Sequence, residues 1–396
     1  GPRLYFNGSA PVAVTGKPST EVTTKLTGPF NNLGVPGAKS YHLVASGYGN
    51  VAGVAGGLAN PYFARFATSA STTVVADAVA QDPTFFSLWI GGNDILGYAT
   101  SGGSGKNQTG NLNPATYASN DITDPNVFAS AYSTIVNALT AKGAKGVVAN
   151  LPYVTALPYF TTVPFNPLSN AVLGGGNVAV GQATVDALNT QLYGPLKHAL
   201  TAFGAGDRIN LMSTTTANPL LIRDESLANL SAQLTAAFTP TLGAATAAFY
   251  GQIFGQARQA TKDDLVVLTT QSVIGTAPAG IPVPLNKFGI TYPLQDKDVL
   301  TKDEILEVKT ATDAYNATIK SVADAKGLAF VELKGVTDKL ASGGIVYNGY
   351  NTTSTFVTGG MFSLDGVHPS PRGYAIIANL FTEAINAKYG ANFKSV

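Results

Sequence analysis

The hydrophobic positions of this chain follow two periods, one typical of buried strands and one typical of helices. Three short runs, 84–90, 146–151 and 328–333, are dense in apolar residues and have the length of strands. Longer stretches between and after these runs repeat apolar residues at helical spacing. Strands that alternate with helices indicate right-handed crossovers and a parallel sheet. The pattern therefore predicts an α/β fold.

Polar residues and glycines mark the ends of three predicted helices. These helices begin at Asp124, Thr301 and Ser370 and end at Gly143, Gly327 and Gly390. Asp, Thr and Ser side chains accept hydrogen bonds from the free N–H groups of a first helical turn, and Glu304 completes a capping box with Thr301. Glycine adopts the left-handed conformation in which helices commonly end. The last helix is thus expected to start directly after residue 370.

The segment 155–300 departs from this alternation. Helical stretches are predicted near 177–203, 225–238 and 243–260. The segment is too long to be a simple crossover between two strands. We therefore expect a single domain over 1–396, with 155–300 as a mostly helical insertion over the site. Its aromatic residues Tyr159 and Phe160 are candidates for a substrate pocket, and the alternative is a second packing layer without a ligand role.

Shorter signals predict the remaining local structure. Residues 1–30 are rich in Pro, Thr and Gly and indicate a surface loop. The small apolar segment 51–80 predicts two short helices, broken at Pro61. Asn348-Gly349 is a favoured tight-turn pair, which predicts a β-hairpin within 345–357.

Composition narrows the classes of partner. Charged residues make up only 12% of the chain and the net charge is +1, with no basic stripe, which argues against a nucleic-acid partner. The absence of cysteine excludes disulfides and thiolate chemistry, and it fits an extracytoplasmic protein. We find no uninterrupted apolar run long enough for a transmembrane helix.

Candidate chemistry is concentrated near the C-terminus, where Asp365 precedes His368 by three residues and Pro369 follows. Residues three apart on a helical turn lie about 5–6 Å apart at Cβ. Asp365 can therefore accept a hydrogen bond from one imidazole nitrogen and leave the other nitrogen free as a base, as in a Ser-His-Asp site. The alternative is an ordinary turn, in which the aspartate caps the next helix and the histidine has no role.

A metal or cofactor site is not predicted. The chain has three histidines and no cysteine. It lacks the His-x-x-x-His spacing that would let two imidazoles share a metal ion.

Two glycine-containing turns could supply hydrogen-bond donors. Gly34 and Gly37 flank a turn that presents backbone N–H groups. The predicted strand 84–90 ends at Gly91-Gly92, and Asn93 follows at the carboxyl edge of the sheet, where ligands bind in open α/β folds. Turn formation alone would also explain either sequence.

These three stretches, in this order on an α/β pattern, resemble the SGNH (GDSL-like) hydrolases, which are esterases and lipases on a flavodoxin-like three-layer parallel sheet. The resemblance covers 31–98, 126–153 and 301–390. It implies that His368 is the general base and Asp365 its orienting carboxylate. It further implies that the Asn93 side chain and the Gly37 N–H stabilise the oxyanion.

The tail 359–369 is most similar to secreted or lipoprotein members from Bacteroidetes-type bacteria. The resemblance thus implies an extracytoplasmic protein, secreted or anchored as a lipoprotein in the outer membrane. It also implies a small-molecule, lipid or carbohydrate ester as the substrate, and no cofactor.

The nucleophilic serine of the family has no counterpart in 1–33. In the flavodoxin-like strand order 2-1-3-4-5, strand 2 would end before Gly34, and the strand missing from the pattern would be the central strand 1. We therefore expect the serine to come from an N-terminal segment, or from a separate fragment that completes the sheet. A different class of function stays open, namely a non-catalytic cell-surface protein that binds carbohydrate or lipid on the same fold.

Overall fold

The computed structural model describes residues 3–16 and 24–396, which form two compact units. Unit 1 comprises Gly1–Ala99, Gly105–Tyr159 and Leu306–Val396. Unit 2 comprises Thr100–Ser104 and Phe160–Ile305, so most of the predicted insertion 155–300 falls within it.

Short strands and helices alternate along the described chain. The strands are β1 (Leu4–Phe6), β2 (Pro11–Ala13), β3 (Phe85–Leu88), β4 (Lys145–Ala149), β5 (Leu221–Arg223), β6 (Ala257–Gln259), β7 (Leu265–Val266), β8 (Val299–Leu300), β9 (Ala329–Val331), β10 (Ile345–Tyr347) and β11 (Tyr350–Thr352). The α-helices are α1 (Val51–Val54), α2 (Pro61–Ala64), α3 (Val74–Val79), α4 (Asn93–Thr100), α5 (Pro125–Thr140), α6 (Pro158–Thr161), α7 (Asn170–Leu173), α8 (Val178–Leu188), α9 (Gly194–Ala202), α10 (Ser231–Leu242), α11 (Ala244–Phe254), α12 (Lys302–Lys326), α13 (Lys334–Ser342) and α14 (Pro371–Tyr389).

Unit 1 contains the predicted parallel sheet, in the order β3-β4-β9. Phe86 is paired with Gly146, and Val148 is paired with Phe330. The three strands lie within the three predicted apolar runs, apart from Lys145 at the start of β4, which confirms a mixed α/β fold with a parallel sheet. In the described part of the chain no strand pairs with the outer edge of β3.

The predicted capping residues start the helices of unit 1. Asp124 accepts hydrogen bonds from the first N–H groups of α5, and Ser370 accepts one from Gly373 at the start of α14. Gly390 ends α14 in the left-handed conformation, with φ of 65°. Tyr315 of α12 is fully buried and stacks on Phe128 of α5 with the ring centroids 4.2 Å apart.

Helix α14 packs on the sheet and runs antiparallel to its strands. The Tyr389 hydroxyl donates to the carbonyl of Gly146 and contacts the N–H of Ala329, so the end of α14 lies at the amino ends of β4 and β9. Phe381, two turns earlier, contacts Trp89 just beyond the carboxyl end of β3. The residues before Pro371 therefore lie on the carboxyl side of the sheet.

Three local predictions for the N-terminal part of unit 1 were wrong. No strand is found at 24–33, although the prediction placed one before Gly34, and residues 17–23 lie outside the described chain. The expected loop at 1–30 contains the hairpin of β1 and β2, because the Asn7 side chain accepts two N–H groups and closes a tight turn. The segment 51–80 forms three short helices instead of two.

The predicted hairpin is confirmed by the antiparallel pair of β10 and β11. Its turn residues Asn348 and Gly349 have φ of 49° and 81°, the positive values that this turn requires.

Unit 2 is mainly helical around an apolar core of its own. Helices α10 and α11 pack together, and two small antiparallel sheets, β5 with β6 and β7 with β8, complete it. Thr301 and Glu304 form the predicted interaction at the start of α12, where the Thr301 N–H donates to Glu304 Oε2 over 2.6 Å.

Candidate active site

The segment 361–370 folds into a closed loop that presents Asp365 and His368. The Ser363 N–H donates to the His368 carbonyl over 2.7 Å, and the Ser370 N–H donates to the Met361 carbonyl over 2.8 Å. Gly366 turns the loop at φ of 73°, a left-handed value that favours glycine. The loop is also tied to the chain after β4, because the Tyr159 N–H donates to the Gly366 carbonyl over 3.0 Å.

The structure confirms the hydrogen bond between His368 and Asp365. His368 Nδ1 lies 2.7 Å from Asp365 Oδ2. The other carboxylate oxygen, Oδ1, accepts from the Ser363 hydroxyl at 2.7 Å and from the N–H groups of Val367 and His368 at 2.9 Å. The carboxylate is thus fixed by the loop and in turn orients the imidazole. The His368 side chain is 66% exposed, and no hydroxyl in the described ranges 3–16 and 24–396 bonds to its Nε2.

Asp365 and His368 shift each other's pKa. Partial burial acts to raise the pKa of Asp365, but hydrogen bonds from His368, Ser363 and two backbone N–H groups outweigh it and hold that pKa well below its usual range. The hydrogen bond from Asp365 raises the pKa of His368. Asp365 is therefore ionised near neutral pH, and His368 is a stronger base than a free histidine.

The two predicted oxyanion donors lie close together at another point in unit 1. The Asn93 side-chain amide donates to the Ala38 carbonyl over 2.9 Å, which fixes it against the turn at Gly37. An amide nitrogen carries two protons, so one stays available. Gly37 has φ of 77°, and its N–H donates no hydrogen bond within the part of the chain that the structure describes.

A buried clamp that the sequence did not reveal fixes this arrangement. Asp94 is fully buried and accepts hydrogen bonds from the Ser40 N–H at 2.8 Å and the Ser40 hydroxyl at 2.7 Å. Burial raises the pKa of Asp94 to about 6. Because Ser40 and Asp94 are 54 residues apart in sequence, no local pattern marks the pair.

A cleft of about 280 Å³ lies beside this turn and is lined by His42, Tyr48 and Asn60, among others. Asn60 donates to the Pro36 carbonyl over 2.9 Å, so the wall of the cleft is joined to the residue before Gly37. His42 stacks on Tyr48 with the ring centroids 4.5 Å apart. The cleft therefore offers an aromatic surface and polar groups next to the predicted oxyanion donors.

His42 is neutral at physiological pH. Burial lowers the pKa of His42 to about 4, and the nearby charge of Lys39 acts in the same direction. His42 Nδ1 accepts the Lys39 N–H over 3.1 Å, so its proton is carried on Nε2. The sequence alone does not indicate a role for His42, because a lone histidine in a loop carries no specific signal.

The four predicted site residues thus form two pairs, Asp365 with His368 and Asn93 with the turn at Gly37. All four belong to unit 1, and α14 and β3 place both pairs on the carboxyl side of the parallel sheet. In the described chain, no hydrogen bond or ring contact joins one pair to the other. Of the two predicted pocket aromatics, Phe160 is 1% exposed and belongs to the core.

One group of carboxylates has the spacing of metal ligands, and it lies in unit 2. Oxygens of Glu225, Asp296 and Glu304 lie within 4.8 Å of one another. Burial, followed by the charge of Glu225, raises the pKa of Asp296. Glu304 already caps α12 through Thr301, so the cluster has a structural role that needs no metal ion.

Comparisons with protein-family models, curated protein sequences and solved structures found no match to this chain. Within residues 3–16 and 24–396, no helix has the length and apolar character that crossing a membrane requires. The geometry of the two residue pairs is therefore the basis for assigning a function.

Proposed function

We propose that this protein is an ester hydrolase in which Asp365 and His368 form the general base. The observation that carries the proposal is the 2.7 Å contact between His368 Nδ1 and Asp365 Oδ2, with the carboxylate held by three further hydrogen bonds. This arrangement fixes the tautomer that keeps Nε2 free to accept a proton. A turn that only capped the next helix would not need the carboxylate to face the imidazole.

In the proposed reaction a serine hydroxyl attacks the ester carbonyl, and His368 Nε2 takes the hydroxyl proton. His368 then transfers this proton to the leaving alcohol, and a water molecule activated by the same base hydrolyses the acyl-enzyme. The proton remaining on the Asn93 amide and the Gly37 N–H would stabilise the negative charge that develops on the carbonyl oxygen.

The finer fold assignment, a flavodoxin-like SGNH sheet, belongs to the same proposal. In that strand order a further parallel strand would pair with the outer edge of β3. The unpaired edge of β3 supports this, as does the 40% exposure of Phe85 and Trp89 at its two ends. Parallel strands are normally buried on both faces. The nucleophilic serine would follow the additional strand.

The cleft beside Gly37 is suited to a substrate that carries polar, uncharged groups. Its lining by neutral His42, Tyr48 and Asn60 suits hydroxyl-bearing groups, since these side chains offer donors, acceptors and an aromatic surface without charge. We therefore include carbohydrate esters among the substrates to be tested.

A binding protein without catalysis is the second candidate. One observation favours it, because His368 Nε2 has no hydroxyl partner in the described chain. In that case the cleft beside Gly37 would bind carbohydrate or lipid at the cell surface without turnover.

Hydrolysis of p-nitrophenyl acetate, butyrate and octanoate, and of an acetylated sugar, by the protein together with the segment or fragment that supplies the serine, distinguishes the two candidates. We expect His368→Ala to abolish turnover. Asn93→Ala should lower kcat by about 10²–10³ with little change in KM, because the donor acts on transition-state charge. His198→Ala is the matched control, since His198 is an exposed residue of α9 in unit 2. Equal turnover by the wild type and His368→Ala would contradict the proposal, and binding of the sugar without hydrolysis would favour the second candidate.

A further inference from the structure

A second cleft, of about 350 Å³, lies entirely within unit 2. One wall is a stripe along α8 and the turn after it. The stripe consists of Val180, Ala183, Thr184, Ala187, Leu188 and Gln191, which recur at helical spacing. The opposite wall and floor include Tyr250 of α11 and the buried residues Leu192, Leu285 and Thr291.

Helix α8 has two distinct apolar faces. One face packs inside unit 2, where Val185 is fully buried and Gly181 lies so close to the Asn170 carbonyl that a Cβ would clash with it. The second face is the stripe that lines the cleft, and Val180 on it is 51% exposed. A helix whose second apolar face borders a concave space and is partly exposed is suited to bind a ligand there.

The helix widens at the end of this stripe. Asn189–Tyr193 form a π-helical turn that contributes Gln191 and Leu192 to the cleft. Pro195 lacks the N–H that would continue the α-helical hydrogen bonding to Gln191, so the widening follows from the sequence. π-Helical turns within longer helices are frequent at functional sites.

The chemistry of the lining selects the class of ligand. None of the lining residues carries a charge. Most of them are aliphatic, and polar groups are few. The Tyr250 hydroxyl and the Gln191 amide have no hydrogen-bond partner among the residues that the structure describes. Apolar pockets with a few placed polar groups are typical of small-molecule sites.

The volume limits the size of that ligand. A cavity of about 150 Å³ holds one benzene molecule, so a cleft about twice as large takes on the order of 12 non-hydrogen atoms. We infer that this cleft binds an uncharged, medium-chain aliphatic molecule with one hydrogen-bonding group, such as an alcohol or an ester. This site is separate from the Asp365–His368 pair, and the inference does not depend on the proposed hydrolase activity.

Methyl-detected NMR of the full chain, labelled at Ile, Leu and Val, tests the inference with 1-octanol as the probe. We expect the methyl signals of Val180, Leu188 and Leu285 to shift along one saturable curve, in His368→Ala as in the wild type. Octanoate should bind at least tenfold more weakly, because no cation faces the cleft to replace the water around a carboxylate.

Ala187→Phe fills the cleft and should weaken octanol binding at least tenfold, whereas Ala179→Phe, on α8 outside the lining, should leave it unchanged. Ala183→Leu adds less volume to the cleft and replaces Ala187→Phe in this test if that variant does not fold. Non-saturable shifts throughout the protein, equal affinity in the filled variants, or equal binding of octanoate would overturn the inference. The inference would also be overturned if light scattering showed a dimer that Ala187→Phe dissociates and octanol did not bind. The cleft would then join two copies of the chain.

Discussion

Tyr389 should be a main determinant of the stability of unit 1, because its hydroxyl forms hydrogen bonds with two strands. It donates to the Gly146 carbonyl over 2.7 Å. It also accepts from the N–H groups of Gly146 and Ala329 at 3.2 and 3.3 Å. These groups lie at the amino ends of β4 and β9, where the ladder between the two strands begins with the pair of Val147 and Ala329. Tyr389→Phe removes the hydroxyl and keeps the ring.

The magnitude follows from what this change leaves unpaired. Losing the hydrogen bond to the Gly146 carbonyl costs about 0.5–1.5 kcal/mol. Two buried N–H groups then lack an acceptor, each at about 1–3 kcal/mol, and their long distances to the hydroxyl favour the low end of that range. The ring contact with Phe85, at 5.9 Å between centroids, is preserved. We therefore expect a loss of about 2.5–3.5 kcal/mol in the free energy of unfolding.

Urea unfolding followed by tryptophan fluorescence measures this loss within unit 1. Trp89 is the only tryptophan of the chain, and it contacts Phe381 of α14, so its emission reports the packing of that helix on the sheet. Tyr374→Phe is the matched control on α14. Tyr374 is 52% exposed, and its hydroxyl has no hydrogen bond in the described residues. The control should change the free energy by less than about 0.5 kcal/mol.

Equal stabilities of the two variants would refute the reasoning. They would mean that water or a backbone shift replaces the Tyr389 hydroxyl at the end of the sheet, and that α14 is held by apolar contacts alone.

Three other predictions concern charged groups. Asp365→Asn should lower the pKa of His368 towards the ordinary value of 6.5, measured by NMR titration of the imidazole. Because the wild-type pKa of His368 is raised, its protonation stabilises the fold below pH 6.5 while Asp365 stays ionised, and this effect is lost as pH rises through the pKa of His368. Arg258→Met should cost about 3–5 kcal/mol in thermal unfolding, since it leaves two buried carboxylates unpaired. That cost should shrink below pH 3.8, because Arg258 holds the pKa of Asp264 below this value against the opposing effect of burial. Asp296→Asn should raise Tm by on the order of 2 °C at pH 8 and by less at pH 5, because burial raises the pKa of Asp296 to about 7 and the folded state loses stability as pH rises from the ordinary value of 3.8 to that pKa.

The features that the sequence predicted correctly are those that depend on near neighbours. The Asp365–His368 contact joins residues three apart, and Ser370 and Gly390 mark α14 by local capping chemistry. The turn at Asn348 required only a preference for positive φ. The parallel sheet also followed, because buried parallel strands are continuous apolar runs.

The features that were missed depend on contacts between distant parts of the chain. The Ser40–Asp94 clamp and the Asn60 contact with Pro36 have no local signature, since Ser, Asp and Asn are common in any turn. The strand expected before Gly34 came from the assumed strand order, and the residues at 24–33 do not pair with the sheet. Hydroxyl contacts such as that of Tyr389 likewise depend on the final packing of α14.

Labelling by a fluorophosphonate, located by mass spectrometry of the intact protein and its peptides, is the most direct test of the claim that His368 activates a serine. The reagent reacts with a serine only where a base increases the nucleophilicity of its hydroxyl. In the protein together with the segment or fragment that supplies the additional strand and its serine, we expect one labelled serine with the wild-type sequence and with His198→Ala, and loss of the label with His368→Ala. An absence of labelled serine in the wild type, or labelling of His368→Ala at the wild-type rate, would contradict the claim.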